Sequence, residues 1–272
     1  MSGLNSEQAL ELAQQLFAIG DLQGALSRCG EILAHSPEHG GARELSAAIH
    51  GRSGMIAGYC LNLEKRSDRV EECLRNRAEF GFPEGMIGFW KAVLDSDFGA
   101  IGAGKSHIAA LTDFFLHGTS PYCMVLEDDF DFLRPAADLF EVMLRIKASG
   151  LRWDVLLLTG NDVIPFEQPQ AAPFLLRVLE AQSGAGYIVN RPYLPTLLAC
   201  FLETVAQLER FRGFNPRKAV VQRFALDIAW KNLQRRDHWY IVNPSFGHQR
   251  PSHSDIEGDF RDYRRGTFYK WP

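Results

Sequence analysis

The chain has 272 residues and a formal net charge of −4, from 29 Lys and Arg against 33 Asp and Glu. That balance gives no electrostatic ground for nucleic acid as a partner, and the length admits one large domain or a domain with an appendage. The polar start MSGLNSEQALELAQQ is unlike a secretory signal and no apolar run reaches the roughly 18 residues of a membrane span, so the expectation is a cytoplasmic protein, or a peripheral one at the inner membrane face.

Residues 6–50 read as helices, with Leu10, Leu12, Leu16 and Ile19 on an apolar stripe, a turn at Gly20-Asp21, then Leu22, Ala25, Leu26 and Ile32. Leu12, Ala13, Gly20, Ala25 and Pro37 have tetratricopeptide-like spacing, resembling one repeat plus the first helix of a second. A lone repeat cannot bury its own face, so it should cover the following domain or meet a partner. GRSG at residues 51–54 marks a boundary, giving a helical segment at 1–52 and a second domain at 53–272.

Within 53–272, apolar stretches ending at Leu63 and at Leu94 (MIGFWKAVL) read as strands, as do PYCMVLEDDFDFL, WDVLLLTG and HWYIVNP. SGAGYIVN opens a strand or a turn. Residues 70–80, 106–116, 139–148 and 192–208 read as helices, and so does ALDIAWKNLQRR. Alternation of the two predicts an α/β domain with a largely parallel sheet. The tail, residues 245–272, is polar, aromatic and basic without periodicity. The five cysteines, Cys29, Cys60, Cys73, Cys123 and Cys200, form no C-x-x-C and read as reduced core residues.

The string GAIGAGKS, residues 99–106, satisfies the phosphate-loop pattern G-x-x-x-x-G-K-[ST]. Such a loop needs a buried strand running into it. The preceding LDSDF places two aspartates there, and acid would repel phosphate. A glycine-rich turn before a helix explains the string better.

MVLEDDFDF is more informative. Apolar residues deliver Glu127, Asp128 and Asp129 to the C-terminal end of a strand, where open α/β sheets bind ligands. Adjacent carboxylates repel. A hard cation such as Mn²⁺ or Mg²⁺ would compensate them and keep positions for substrate phosphate.

YCLNLEKRSDR resembles the opening I-N-L-x-R-x-x-D-R of glycosyltransferase family 25, the lipooligosaccharide and collagen galactosyltransferases. Asn62, Leu63, Arg66, Asp68 and Arg69 fit it, with Lys65 inserted. The family's G-C-x-x-S-H corresponds to Gly102 through His107, with Ala103 in place of cysteine. V-L-E-D-D is Val125–Asp129. SGAGYIVNR resembles G-x-x-A-Y-L-I-S-R through Ser183, Gly184, Tyr187, Asn190 and Arg191, and Asp227 stands where the family has a later aspartate. The likeness runs from Ile56 to Asp255 with the motifs in order.

The resemblance implies a GT-A-type, Rossmann-like domain that inverts at the anomeric carbon. It implies a nucleotide-sugar donor, often UDP-galactose, and an Mn²⁺ or Mg²⁺ cofactor. Arg66 and Arg69 would meet the nucleotide, since guanidinium groups pair bidentately with phosphate. Asn62, Ser106, His107, Asp128 and Gly184 belong with them in the donor site. Glu127 and Asp129 would serve the metal, with His248 from the polar tail completing its shell. Inversion needs a base for the acceptor hydroxyl. Asp227 is favoured and Asp162, after WDVLLLTG, is the alternative. The implied acceptor is a lipopolysaccharide or other surface glycan. A protein or peptide presented by the helical segment is second, and a non-catalytic scaffold with a degenerate transferase domain third. The helical segment or the basic tail DFRDYRRGTFYKWP would make any membrane or protein contact.

Overall fold

The computed structural model describes residues 5–52, 54–254, 259–264 and 266–269. It begins with three helices, α1 (Ser6–Ala18), α2 (Leu22–His35) and α3 (Gly40–Arg52). Asn5 caps α1 in a capping box with Gln8, and Asp21 caps α2 by accepting from the Gly24 N–H, so orphan backbone donors are satisfied. Gly20, at φ 88°, makes the turn between them. The apolar stripes meet in a small core of Ala13, Ala25, Cys29 and Ile49.

There follow β1 (Ile56–Asn62), α4 (Ser67–Glu79), β2 (Ile87–Lys91), α5 (Gly99–His117), β3 (Tyr122–Glu127), β4 (Phe130–Phe132) and α6 (Ala136–Ser149). Next are β5 (Val155–Leu157), β6 (Asn161–Glu167), β7 (Leu175–Gln182), β8 (Gly186–Asn190), α7 (Leu194–Arg210), α8 (Arg217–Phe224), α9 (Leu226–Ala229) and α10 (Lys231–Arg236). The chain closes with β9 (Trp239–Val242) and three short strands, β10 (Gly247–Gln249), β11 (Ser252–Ser254) and β12 (Asp259–Arg261).

Eight strands form one sheet in the order β2-β1-β3-β8-β5-β9-β7-β6. The pairs β1–β2, β1–β3 and β5–β9 are parallel, and the other four antiparallel. Six strands therefore point one way, with β8 and β7 reversed. The sheet is mixed, with most strands running in one direction. β7 is reversed because it returns from β6 through a short hairpin connection.

Strand β3 shows how the core forms. Its alternate residues face opposite sides. Met124 and Leu126 join Leu139, Phe140 and Met143 of α6. Cys123 and Val125 join Leu111 and Phe114 of α5 and Leu197 and Phe201 of α7. Helices thus cover both faces, which is why this strand is an unbroken apolar run. The N-terminal helices dock on α6: Ala47 enters the main core, His50 stacks on Phe140 at 5.5 Å, and Arg43 pairs with Asp138. This is the helical covering expected for residues 1–52; the tetratricopeptide likeness rests on sequence spacing alone.

The elements depart from the sequence reading in five places. GAIGAGKS is neither a loop nor a turn but the first two turns of α5. Residues 161–182 carry β6 and β7, and 217–224 form α8, all unanticipated. The single helix expected over ALDIAWKNLQRR is broken into α9 and α10 at Trp230. The aperiodic tail contributes β10, which pairs with β4, while Asp255, Arg265 and residues 270–272 lie outside the described residues.

Candidate active site

The parallel strands β1, β2 and β3 end at one edge of the sheet, where α/β folds bind ligands. Two cavities open there. The first, about 120 Å³, lies between Leu61, Leu63, Val93 and Leu94 on one side and Glu127, Asp128 and Asp129 on the other. The second, about 460 Å³, is lined by Asp162, Ser183, Gly184, Gln222, Asp227, Asp262 and Tyr263. They share one wall, formed by Ala103, His107, Glu127 and Gln249.

The three consecutive acids have three different environments. Asp128 is buried and fully engaged: Arg69 donates to Oδ1, and the Asn62 side chain donates to Oδ2 at 2.8 Å. Burial still raises its pKa above the usual carboxylate range, with Arg69 opposing. Asp129 is also buried. Its Oδ2 accepts from Gln249 at 3.2 Å and from the Ser252 hydroxyl at 3.4 Å, while Oδ1 has no hydrogen-bond partner. Burial, and next the charge of Glu127, push its pKa up to about 7. Glu127 is partly open and sits 3.4 Å from Nε2 of His107.

His107, in the interior of α5, is itself held by the Tyr187 hydroxyl at 2.9 Å from Nδ1. A carboxylate only accepts hydrogen bonds. Neutral His107 that donates from Nε2 to Glu127 must therefore accept at Nδ1 from Tyr187. Burial raises the Tyr187 pKa well above its ordinary value, keeping that hydroxyl protonated.

Asp227, in the first turn of α9, accepts from the Ser183 N–H at 3.0 Å. Burial raises its pKa, the Ser183 contact opposes this, and Glu127 adds to it. Asp162, at φ 49°, stands exposed on the rim of the second cavity, its N–H bonded to the Gly266 carbonyl at 3.3 Å. Gly184 belongs to the wall near Glu127: a Cβ there would come within 3.4 Å of Oε1.

Several expected donor-site residues make contacts within the scaffold, and of these Arg69 and Ser106 also line the first cavity. Asn62 bridges Asp128 and the Arg66 carbonyl. Arg66 turns to Asp68 at the start of α4, with Nη2 2.9 Å from Oδ2. Arg69 does line the first cavity, but it pairs with Asp128, lies 3.7 Å from Asp129 and donates to Ser252. Ser106 ties α5 to the loop after β2, accepting from the Val93 N–H at 2.8 Å and donating to the Gly102 carbonyl at 2.7 Å. Lys105 meets Glu209 of α7 at 2.6 Å, not a phosphate. The aspartates of LDSDF form a turn clamped by Arg212, whose hydrogen bonds to Asp95 hold that carboxyl down at about 2.

The ligand set Glu127, Asp129 and His248 is not assembled. Among the described residues no three His, Cys, Asp or Glu side chains gather as a metal-holding group. Successive residues of a strand face opposite ways, so Gln249 reaches Asp129 while His248 pairs in register with Asp131 and faces Tyr269. Glu127 and Asp129 alone still fit a hard cation. They repel one another, and one buried Asp129 oxygen is unpartnered. A cation that also takes diphosphate oxygens and water needs only one or two carboxylates. Sequence reasoning did not assign Gln249, Gln222, Asp262 or Tyr263 to the site. For Gln249 the strand alternation carried the signal, once the tail is known to pair with β4.

No family model matches the chain, and no curated protein matches its sequence. Among solved structures it is similar to mannose-1-phosphate geranyltransferase from Thermus thermophilus, with a TM-score of 0.40 and 11% identity, over 71% of this chain and 75% of that one. Among the described residues no helix is long and apolar enough to cross a membrane.

Proposed function

We propose that the protein is a GT-A-type glycosyltransferase of the family 25 kind, moving a hexose, by expectation galactose, from a UDP-sugar to a hydroxyl of a cell-surface glycan with inversion. The observation that carries this reading is the shared wall. Two cavities at the carboxyl edge of β1 and β3 meet across His107 and Glu127, as donor and acceptor halves of a transfer site must meet at the transferred carbon. The first half, with aliphatic walls and Asp95, suits a nucleoside. The second, with amides and carboxylates, suits a hydroxylated acceptor.

Glu127 and Asp129 would hold Mn²⁺ or Mg²⁺. A divalent cation there neutralises a diphosphate and so stabilises it as a leaving group. His107, locked by Tyr187, fixes the Glu127 carboxylate. Asp227 takes the acceptor hydroxyl proton: its raised pKa brings a carboxylate closer to the range useful for a general base. Asp162 remains the alternative base, nearer solvent.

A non-catalytic scaffold is the second reading. Arg69 favours it, because its guanidinium already compensates Asp128 and approaches Asp129. UDP release from UDP-galactose, measured with and without Mn²⁺, separates the two. An enzyme releases UDP only with the metal, and a scaffold releases none under either condition.

A further inference from the structure

The second cavity has a charge pattern that selects its ligand. Its lining includes Glu127, Asp162, Asp227 and Asp262 and, among the described residues, no Lys or Arg. Nearby cations among the described residues pair with Glu180 and Asp262. Lys231 and Arg235 pair with Glu180, and Arg264 covers Asp262 at 2.7 Å. Among the described residues, Glu127, Asp162 and Asp227 face the cavity with no Lys or Arg ion-paired to them; Glu127 meets His107, and Lys231 acts on Asp227 only as a more distant charge. Beside His107, the rest of the polar wall offers uncharged groups: Asn161, Gln182, Gln222, Gln249 and Tyr263 supply amides and a hydroxyl. The volume, about 460 Å³, is within the range of small-ligand sites.

We propose that this cavity takes a neutral or amine-bearing saccharide and rejects one carrying phosphate or carboxylate near the reacting hydroxyl. The proposal deepens the transferase reading and rests on it for the word acceptor. Amides and carboxylates bond sugar hydroxyls well, since carboxylates accept and amides do both. An ammonium group gains from the three facing carboxylates. A phosphate would be repelled by the same three, and like charges brought together without a compensating cation lose affinity steeply. A donor diphosphate with its divalent cation is close to charge-balanced and leaves this acidity in place.

Binding to the full chain is measured by ligand-observed NMR with three probes: methyl β-D-galactopyranoside, galactosamine and galactose 6-phosphate. The first two should bind, galactosamine at least as well as the neutral glycoside, and the phosphate at least ten-fold more weakly. Asp227→Asn should shrink the phosphate penalty, read as the ratio of the phosphate's affinity to the neutral glycoside's in the same variant, several-fold, and Asp162→Asn, at the exposed rim, should act in the same direction. Galactose 6-phosphate binding as tightly as the neutral glycoside would overturn the proposal. So would binding by none of the three probes, or a penalty untouched in both variants. UDP release from UDP-galactose is followed separately. Its absence with the charge preference intact removes the transferase reading and leaves the selectivity standing.

Discussion

Asp227 joins a cost in stability to a gain in chemistry. Its half-buried carboxyl lines the second cavity within the influence of the Glu127 charge, and its pKa is raised. A carboxyl whose folded pKa is raised favours folding most fully while protonated. That contribution is lost as pH climbs from the ordinary carboxylate value through the raised one. Asp227→Asn keeps the Ser183 N–H contact and removes the titration. The variant should show a higher melting temperature than wild type at pH 7, with the difference fading toward pH 4, in parallel thermal scans. Turnover should fall by about 10²–10⁴. A dead Asp162→Asn enzyme beside an active Asp227→Asn one would transfer the role of base to Asp162. At this scale the sequence was partly legible. The acids of EDD were visible in a row, but nothing in the row says that Asp128 is tied up by Arg69 and Asn62 while Asp129 keeps a free oxygen. Those partners come from residues about 60 positions away, and only the meeting of β1, α4 and β3 supplies them.

The glycines of α5 show where local sequence misleads. Glycine in a helix interior is disfavoured by up to about 1 kcal/mol relative to alanine, so GAIGAG reads as a turn. Packing overrides this. A Cβ on Gly102 would stand 2.6 Å from the Val93 carbonyl oxygen, and one on Gly104 2.5 Å from Val205 Cγ2. The helix needs its glycines to approach the loop after β2 and to approach α7. Gly102→Ala should therefore destabilise by about 1–3 kcal/mol, against the usual gain from Gly→Ala. Gly104→Ala should cost less, because the Val205 methyl can shift and a backbone carbonyl cannot. Chemical denaturation of both variants checks the order. Lys105→Ala, removing a half-exposed ion pair with Glu209, should change stability by less than about 1 kcal/mol. It should leave UDP release near wild type, and neither protein should hydrolyse ATP. Strand β3 was the legible element: its apolar run and acidic end are contiguous. Strand β10 was not, since three residues carry no period and its partner β4 lies more than a hundred positions earlier.

For the whole molecule, alternating strands and helices made the α/β class readable, because the longer elements, such as β1, α4, α5, β3, α6 and α7, carry their own periodicity. The reversal of β8 and β7 was not readable, since strand direction depends on how distant elements pair. The helical segment also proves less separate than the glycines at its end suggested, with Ala47 in the main core and Arg43 and His50 on α6. Deleting residues 1–52 should lower the melting temperature by about 5–10 °C, the effect of a few kcal/mol in a domain this size, and should preserve nucleotide binding, because neither cavity draws on those residues. The central claim is that Glu127 and Asp129 bind a divalent cation together with a nucleoside diphosphate at the carboxyl edge of the sheet. Calorimetric titration of UDP into wild type and Asp129→Asn, each with and without Mn²⁺, tests it most directly. The account predicts binding by wild type only when Mn²⁺ is present, and none by Asp129→Asn under either condition. UDP binding that ignores the metal and survives Asp129→Asn unchanged, or no UDP binding by wild type with Mn²⁺, would contradict it.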